Sequence, residues 1–229
     1  MGKQKVLHWA DQNAQRVITE KGNKKRYVVA AGITPSGRIH IGNFREIITV
    51  DLVNKALKDA GKDVNFIYSW DDYDVFRKVP IDMPDQNLLK KFLRMSITDV
   101  PDTMECRHKS YAEHNEKAVE EVLPIVGIKP KFIRQSVMYQ KCAYAEEIKT
   151  AMQNTKKIKD ILDQYRKEPL EKDWYPAAIF CEKCKKDTTK ITDYDGEYDV
   201  TYKCECGFED TFDIRKKGII KLNKKGNAV

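Results

Sequence analysis

The sequence predicts an α/β fold built on a parallel sheet, followed by a region of different character. Two hydrophobic strands, at residues 26–31 and 64–70, flank an amphipathic helix with its apolar stripe at 41–57. Strand, helix and strand joined by short glycine-containing turns are typical of a βαβ unit with parallel strands. Longer helices follow from about residue 88, and residues 180–215 are short, polar segments that contain cysteine.

Each remaining element follows from hydrophobic spacing and turn residues. Apolar groups recur at helical spacing over residues 8–18, and Gly22 with Asn23 ends that helix. Gly61 ends the helix of the βαβ unit. Further predictions are helices near 87–96, 111–123 and 143–165, a strand near 131–135, and β-hairpins within 180–215.

We therefore expect two domains. Residues 1–99 would form a parallel sheet with its helices, and residues 100–229 an α+β region with a cysteine-bearing segment at about 178–215. A chain of 229 residues is long enough to bury a substantial core in this arrangement.

The composition excludes several classes of protein. No run approaches the ~18 apolar residues of a membrane span, and the first thirty residues lack the apolar core of a signal peptide. Val6 stands where a myristoylation signal requires Ser or Thr. We expect a cytoplasmic protein, and a net charge of +7 permits a polyanionic partner without identifying one.

The loop at residues 32–42 is the first candidate site, because it joins the first strand to its helix. Free N–H groups and the dipole at a helix N-terminus favour an anion, so we expect a phosphate group here. Gly32 and Gly37 have the glycine spacing of a Walker A loop, but Arg38 and Ile39 replace its Lys and Ser/Thr. The segment GITPSG also lacks the G-x-G-x-x-G dinucleotide fingerprint.

What remains is T-P-S-G-x-x-H-I-G-N, which resembles the HIGH signature of class I aminoacyl-tRNA synthetases. The resemblance implies a Rossmann-like sheet in which His40 and Asn43 contact ATP phosphates and act in catalysis, while Gly42 leaves room for adenine. It also brings Ser36 and Gly37 into the ATP site, with Mg²⁺ accompanying the nucleotide. Asn43 departs from the usual second histidine, although its amide still offers an N–H donor.

The chemistry explains why such donors belong there. Attack of a carboxylate on the α-phosphate concentrates charge on nonbridging oxygens, and each preorganised donor can lower the barrier by a few kcal/mol. The alternative is that His40 is a helix-start histidine packed against the sheet. We favour the ATP-binding interpretation, because the strand, the TPSG loop and the helix follow one another in the order that the motif requires.

A longer stretch narrows the resemblance to the archaeal type of class I lysyl-tRNA synthetases. It comprises HWAD, YVVAAGITPSGRIHIGNFREI, SWDDYDVFRKVP and SYAEH, and continues through YAEEIKTAM, IKDILDQYRK and DWYPAAIFC. This resemblance implies a lysine–tRNA ligase that forms lysyl-adenylate from lysine and ATP and transfers the lysyl group to tRNA(Lys). It places Gly32 and Thr34 in the lysine pocket.

An acidic cluster, Asp71, Asp72 and Asp74, follows the second strand. Carboxylates at the carboxyl edge of the sheet could pair with the ε-ammonium or α-amine of a substrate lysine, and we include Asp71 and Asp72 in that pocket as a hypothesis. Equally, such residues can cap helices or pair with neighbours such as Arg77 and Lys78.

Four of the six cysteines form a candidate zinc site. Cys181-x₂-Cys184 and Cys204-x-Cys206 bring two short turns together, and four thiolates suit tetrahedral structural zinc. The alternative is free thiols, and the C-x-C spacing strains simultaneous ligation by Cys204 and Cys206. We expect the metal to hold together a polar segment with little core of its own. The resemblance likewise implies a metal-binding insertion, one that approaches the tRNA acceptor arm.

The segment ECRHKSYAEH supplies a possible second metal site, with Cys106 and His108 as its ligands and His114 nearby. Its alternative is a surface loop that leads into the helix near residue 111. We interpret Cys142 as an ordinary, partly buried thiol.

Neither a K-M-S-K-S-like loop nor the family's helical anticodon-binding region is recognisable in the sequence. The chain thus resembles the amino-terminal portion of the enzyme, and a downstream polypeptide would complete the catalytic domain. We expect little or no ATP–pyrophosphate exchange from the chain alone. Two alternatives stay open: a non-catalytic tRNA-binding zinc module, and another nucleotidyltransferase of the HIGH superfamily.

Overall fold

The computed structural model describes residues 7–81, 83–106 and 108–222. The chain divides into two compact units that interleave in sequence. Unit 1 is the described part of Met1–Asp71 with Ala112–Arg134, and unit 2 is that of Asp72–Tyr111 with Gln135–Val229. The division into domains 1–99 and 100–229 stays a prediction.

The helices and strands follow one another in an order that matches most of the predicted elements. They are α1 (Trp9–Lys21), β1 (Tyr27–Ile33), α2 (Ile41–Asp59), β2 (Val64–Trp70), α3 (Gln86–Leu89), α4 (Tyr111–Val122), β3 (Lys131–Arg134), α5 (Gln135–Gln140), α6 (Ala145–Gln153), α7 (Thr155–Asp163), β4 (Ala177–Ile179), β5 (Thr189–Tyr194), β6 (Asp199–Cys204), β7 (Glu209–Asp213) and β8 (Ile220–Leu222).

Unit 1 contains a three-stranded parallel sheet in the order β1-β2-β3, which confirms the predicted parallel βαβ unit. α2 and α4 pack on one face of it, through Ile47 and Val119, against alternate strand residues such as Ala31 and Tyr68. α1 lies against α2 through small residues, Ala10 and Ala14. Ile47 is 1% exposed, so its side chain is fully buried at this contact.

Strand β1 forms one edge of this sheet, with β2 as its neighbour. Tyr27 N donates to Asp63 O at 2.9 Å and Ile33 O accepts from Asp71 N at 2.9 Å, so these main-chain groups point toward the β2 side. Alternate residues point the opposite way. The main-chain groups of Val28 and Ala30 therefore face the outer edge, where no described strand pairs with them, and the Val28 side chain is 60% exposed.

Unit 2 holds a two-stranded antiparallel pair, β4 with β8, and a three-stranded antiparallel sheet, β5-β6-β7. The hairpins predicted within 180–215 are thus confirmed. The helix predicted over 143–165 is instead two helices, α6 and α7, separated at Asn154, where the backbone leaves helical geometry (φ −100°, ψ 18°).

The helix predicted near 87–96 is also much shorter than expected. α3 passes into a 3₁₀ turn at Lys90–Phe92, and Arg94 has a left-handed backbone (φ 75°) that ends the helical path. Residues 94–97 then pair with residues 74–76. Among the residues that the structure describes, no helix combines the length and apolar character that a bilayer crossing requires.

Candidate active site and metal centre

His40 caps the N-terminus of α2, directly after the loop that leaves β1. Its backbone is extended (φ −124°, ψ 173°), and its Nδ1 accepts a hydrogen bond from Gly42 N at 3.1 Å. In return, the Asn43 Oδ1 accepts from His40 N at 3.3 Å. This is a capping box in which histidine and asparagine take the places usually held by Ser/Thr and Glu/Gln.

The imidazole of His40 is exposed and does not pack inside the core. The alternative of a histidine packed against the sheet is therefore wrong, although a structural role as an N-cap is real. Gly42 is explained by the same contact: a Cβ at this position would lie 2.9 Å from His40 Cε1 and 3.0 Å from Nδ1. Any side chain at position 42 would displace the ring.

The loop that precedes His40 is fixed from α4. The buried amide of Asn115 donates to Pro35 O at 3.3 Å, and Pro35 is itself buried. Ser36 is exposed, while Thr34 and Gly37 are half-buried. The proline–amide contact thus holds the TPSG turn while its polar groups remain accessible. Asn115 carried no recognisable motif, since its partner lies eighty residues earlier in the chain.

Gly32 lies at the carboxyl end of β1 in close contact with β2. A Cβ there would approach Ser69 O to 2.6 Å, so only glycine fits without moving the strand. Its outward-facing N–H donates to Glu46 Oε1 on α2 at 3.2 Å. Burial, followed by this Glu46 carboxylate, raises the pKa of Tyr68 to about 12. No motif in the sequence marks Glu46 as a residue of this edge.

The three acidic residues after β2 have different surroundings. Asp71 is half-buried and its main chain extends the β2 pairing. Asp72 is 1% exposed, and its carboxylate accepts from Ser136 N at 2.7 Å and from the Ser136 hydroxyl. Asp74 Oδ1 forms an ion pair with Lys221 Nζ at 2.9 Å. The carboxylates of Asp72 and Asp74 are thus held by other groups of unit 2.

A charged network that the sequence analysis missed lies at the ends of β2 and β3. Arg134 donates to Glu116 Oε2 at 2.7 Å and to Glu120 Oε1 at 2.6 Å, and Trp70 Nε1 also donates to Glu120 at 3.1 Å. Burial alone would lower the pKa of Arg134, but the carboxylates of Glu116 and Glu120 have the larger effect, so the pKa of Arg134 is raised. The network ties α4 to the carboxyl edge of the sheet.

The four cysteines of the predicted zinc site converge in unit 2. Their sulfur atoms all lie within 4.8 Å of one another, with Cys181 to Cys206 at 3.8 Å and Cys184 to Cys204 at 3.6 Å. Zinc bound to four thiolates at about 2.3 Å requires sulfur separations of about 3.8 Å. The set therefore fits a tetrahedral ion, and Cys206 belongs to it despite its C-x-C spacing.

Two tight turns present these sulfurs. Lys185 N donates to Cys181 O at 2.8 Å with Lys185 in left-handed geometry (φ 61°), and Gly207 N donates to Cys204 O at 2.9 Å with φ 83°. The expectation that this segment has little core is wrong. Cys181 and Cys204 are buried together with residues from β4, β6, β7 and β8: Ile179, Val200, Tyr202, Phe212 and Ile220.

The possible second metal site has a compact arrangement as well. The ligand atoms of Asp102, Cys106 and His108 lie within 4.8 Å of one another. Asp102 Oδ2 accepts from His108 N at 2.9 Å and lies 3.4 Å from both Cys106 Sγ and His108 Nδ1. Asp102 is thus a member that the sequence analysis did not name. Cys142 is half-buried at a left-handed position (φ 55°).

A parallel sheet whose first strand leads through a TPSG turn into a helix capped by HIGN defines an α/β protein of the HIGH type. Comparison with known families agrees with this class. The profile described as tRNA synthetases class I (K) matches residues 7–226, so the chain belongs to that family.

Curated relatives narrow the comparison further. A lysine–tRNA ligase of Borreliella burgdorferi is 54% identical over 219 residues, which is 95% of this chain and 42% of the relative. Those of Treponema pallidum and Pyrococcus horikoshii are 47% and 43% identical, over 96% and 95% of this chain and 42% and 41% of theirs. The chain thus spans about two fifths of the length of these relatives.

Proposed function

We propose that this chain forms the first part of the catalytic domain of a lysine–tRNA ligase. The observation that carries the proposal is the exposed, N-capping imidazole of His40, next to Asn43, at the start of the helix that follows β1. The chain is 54% identical to a curated lysine–tRNA ligase over 95% of its own length, and this similarity supports lysine as the substrate.

ATP would bind at the loop and the start of α2. His40 and Asn43 would donate to the phosphates as catalytic residues, and the N-terminus of α2 would add its dipole. Ser36 and Gly37 would contact the nucleotide from the turn that Asn115 anchors. Because Gly42 has no side chain, it would leave room for the adenine and for the His40 imidazole. Mg²⁺ would accompany ATP through its phosphate oxygens.

Lysine would bind at the carboxyl ends of β1 and β2. Gly32 and Thr34 would line the pocket, and Asp71 and Asp72 would supply negative charge near its ammonium groups. Asp72 already accepts two hydrogen bonds from Ser136, so its contribution is to set the local potential and the course of the chain. Asp71 is the more accessible of the two.

The reaction would proceed in two displacements. A carboxylate oxygen of lysine attacks the α-phosphorus of ATP, the bond to the β-phosphate oxygen breaks, and pyrophosphate leaves. The terminal ribose hydroxyl of tRNA(Lys) then attacks the lysyl carbonyl, and AMP leaves. In the first step His40 and Asn43 would stabilise the charge that accumulates on the nonbridging oxygens.

Cys181, Cys184, Cys204 and Cys206 would hold one structural zinc ion. The sulfur separations support this, because they match those of a tetrahedral thiolate site. With four protein ligands the ion has no open position, so it has no part in the reaction. Cys106 and His108, with Asp102, would form a second metal site.

A further polypeptide segment would complete the catalytic domain. Parallel sheets are usually buried on both faces, whereas Val28 and Ala30 on β1 are exposed. Their main-chain groups also lie at the edge of the sheet, where no described strand pairs with them. A strand added along β1 would satisfy those groups. The relatives have more than half of their length outside the matched region.

A chimaeric enzyme tests the proposal. This chain replaces the matching segment of the Borreliella burgdorferi ligase, and lysine-dependent ATP–pyrophosphate exchange is measured beside the chain alone. We expect exchange from the chimaera, little from the chain alone, and a loss of at least about 100-fold in the His40→Ala chimaera. A folded chimaera without exchange, with salt-sensitive tRNA binding in its place, would favour the non-catalytic tRNA module.

A further inference from the structure

The loop at residues 72–76, here called the acidic loop, is held on one side by residues 94–97, which pair with the first cysteine turn, and on the other by β8 and the turn before it. We propose that the four-cysteine site positions the acidic loop, so that metal binding there orders the segment that carries Asp72 and Asp74. All the contacts in this chain of connections lie within unit 2. Its relevance to lysine binding rests on the proposed function, whereas the coupling itself does not.

The first connection starts at the turn that presents Cys181 and Cys184. Cys181 N donates to Lys186 O at 2.8 Å, which closes the turn. The next residue, Asp187, donates its N–H to Arg94 O at 2.8 Å, and Lys186 forms a β-bridge with Met95. The cysteine turn is therefore hydrogen-bonded directly to residues 94–97, here called the bridging segment.

A side-chain pair reinforces this connection. The Arg94 guanidinium contacts both carboxylate oxygens of Asp187, at 2.8 and 3.0 Å, and the Asp187 side chain is only 6% exposed. Two parallel contacts of this kind fix orientation as well as distance. Because Asp187 lies three residues after Cys184, any loosening of the cysteine turn would move this carboxylate.

The bridging segment in turn forms main-chain hydrogen bonds with the acidic loop. Phe76 N donates to Met95 O and Arg94 N to Phe76 O, both at 2.8 Å, and Ile97 N donates to Asp74 O at 2.8 Å. Val75 and Ser96 form a β-bridge. Ser96 and Ile97 are 0% and 1% exposed, so this pairing is protected from water. The acidic loop thus depends on the bridging segment for its main-chain partners.

The second hold comes from β8 and the turn before it. Lys221 Nζ donates to Tyr73 O at 2.8 Å and to Asp74 Oδ1 at 2.9 Å, and the lysine is 8% exposed. The Tyr73 hydroxyl donates to Gly218 O at 2.8 Å. The Gly218 position admits no side chain, since a Cβ would lie 2.2 Å from Gln140 Cα. β8 itself pairs with β4, which leads into Cys181.

These contacts explain why the metal would matter beyond its own turn. Without metal, the two cysteine turns are held to one another only by packing and weak sulfur contacts, whereas four zinc–sulfur bonds would fix them together. Fixing the first turn fixes Asp187, the bridging segment and then residues 74–76. Arg94, Asp187 and Lys221 are therefore positioning residues of the acidic loop.

Hydrogen–deuterium exchange on the full chain, with one zinc ion bound and after chelation, tests the coupling. We expect chelation to speed exchange about tenfold at the amides of Phe76, Arg94 and Ile97 as well as in the cysteine turns. The amides of α2 in unit 1 should keep their rates. Faster exchange confined to the cysteine turns would overturn the proposal.

A variant keeps the test decisive if chelation unfolds unit 2 as a whole. Asp187→Asn removes the paired charge without touching a cysteine, and Lys190→Ala, which breaks the exposed pair with Asp173, is the matched control. With zinc still bound, we expect faster exchange at Phe76 and Ile97 in Asp187→Asn only. Unchanged exchange in the zinc-loaded Asp187→Asn protein would also refute the coupling.

The chimaeric ligase separates this inference from the proposed function. Asp187→Asn should raise the KM for lysine several-fold while the KM for ATP stays unchanged, because the nucleotide residues lie in unit 1. Equal changes in both constants would contradict the positioning role. If exchange shows the coupling but the unmodified chimaera does not use lysine, the proposed function fails and the coupling stands.

Discussion

His40 and Asn43 form a capping box at the start of α2: the Asn43 Oδ1 accepts from His40 N at 3.3 Å, while His40 Nδ1 accepts from Gly42 N at 3.1 Å. The same two side chains are the proposed donors to ATP phosphates. The structural and the proposed catalytic roles therefore coincide, and loss of function on deletion of His40 would not by itself distinguish them.

Two substitutions at position 40 separate these roles. Asparagine is among the best N-cap residues, so His40→Asn should keep the stability of α2, whereas His40→Ala should cost about 1 kcal/mol of unfolding free energy. Both should lower pyrophosphate exchange in the chimaera by at least about 100-fold, since neither retains the imidazole. Urea unfolding and exchange assays check the two effects. Full exchange in His40→Asn would show that capping is the only role.

The metal content of the chain tests the four-cysteine site. Cys181→Ser and Cys206→Ser should each bind about one equivalent of zinc less than the unmodified chain, because a missing thiolate opens the tetrahedral set. Cys142→Ser is the matched control, since its thiol is half-buried and stands outside the cluster. Elemental analysis by mass spectrometry gives the ratio. Undiminished zinc in Cys206→Ser would show that Cys206 is not a ligand of the site.

Much of unit 1 could be predicted because its signals are local. The boundaries of β2 coincide with the predicted strand, and α2 begins after the loop motif, where hydrophobic spacing and Gly61 define it. The cysteine positions were likewise readable from spacing. Their fit as one cluster depends on where two distant turns meet, and the buried core around them was not anticipated.

The missed features depend on partners far apart in the chain. Asn115 reaches Pro35 across 80 residues, and Lys221 reaches Asp74 across 147. Neither residue has a motif of its own, so no local pattern marks it. The helix predicted near 87–96 failed for the same reason, because residues 94–97 exchange helical bonds for pairing with 74–76.

The Asp74–Lys221 pair predicts a pH dependence of stability. Burial alone would raise the pKa of Asp74, but Lys221, Val75 N–H and Arg77 outweigh it, so the pKa lies below its ordinary value of 3.8. A carboxyl group with a lowered folded-state pKa stabilises the fold above its unfolded-state pKa. That contribution is lost as the pH falls through the lowered value.

Asp74→Asn should therefore destabilise unit 2 by about 1–3 kcal/mol near neutral pH, where it leaves the Lys221 ammonium buried without its counter-charge. As the pH falls below 3.8, the difference from the unmodified protein should shrink, since Asp74 then becomes protonated and neutral like the Asn that replaces it. Urea unfolding at several pH values measures it. A difference that stays constant with pH would show that the charge of Asp74 is not what stabilises the loop.

Packing on α2 gives a prediction with its control on the same helix. Ile47 is 1% exposed in the core between α2 and the sheet, and Ile41 is 79% exposed about 1.7 turns earlier. Ile47→Ala should cost about 2–5 kcal/mol, because it removes buried methylene groups and leaves a cavity. Ile41→Ala should change the unfolding free energy by less than about 0.5 kcal/mol. Denaturant titrations compare the two, and a large loss in Ile41→Ala would mean that a further segment covers that side chain in solution.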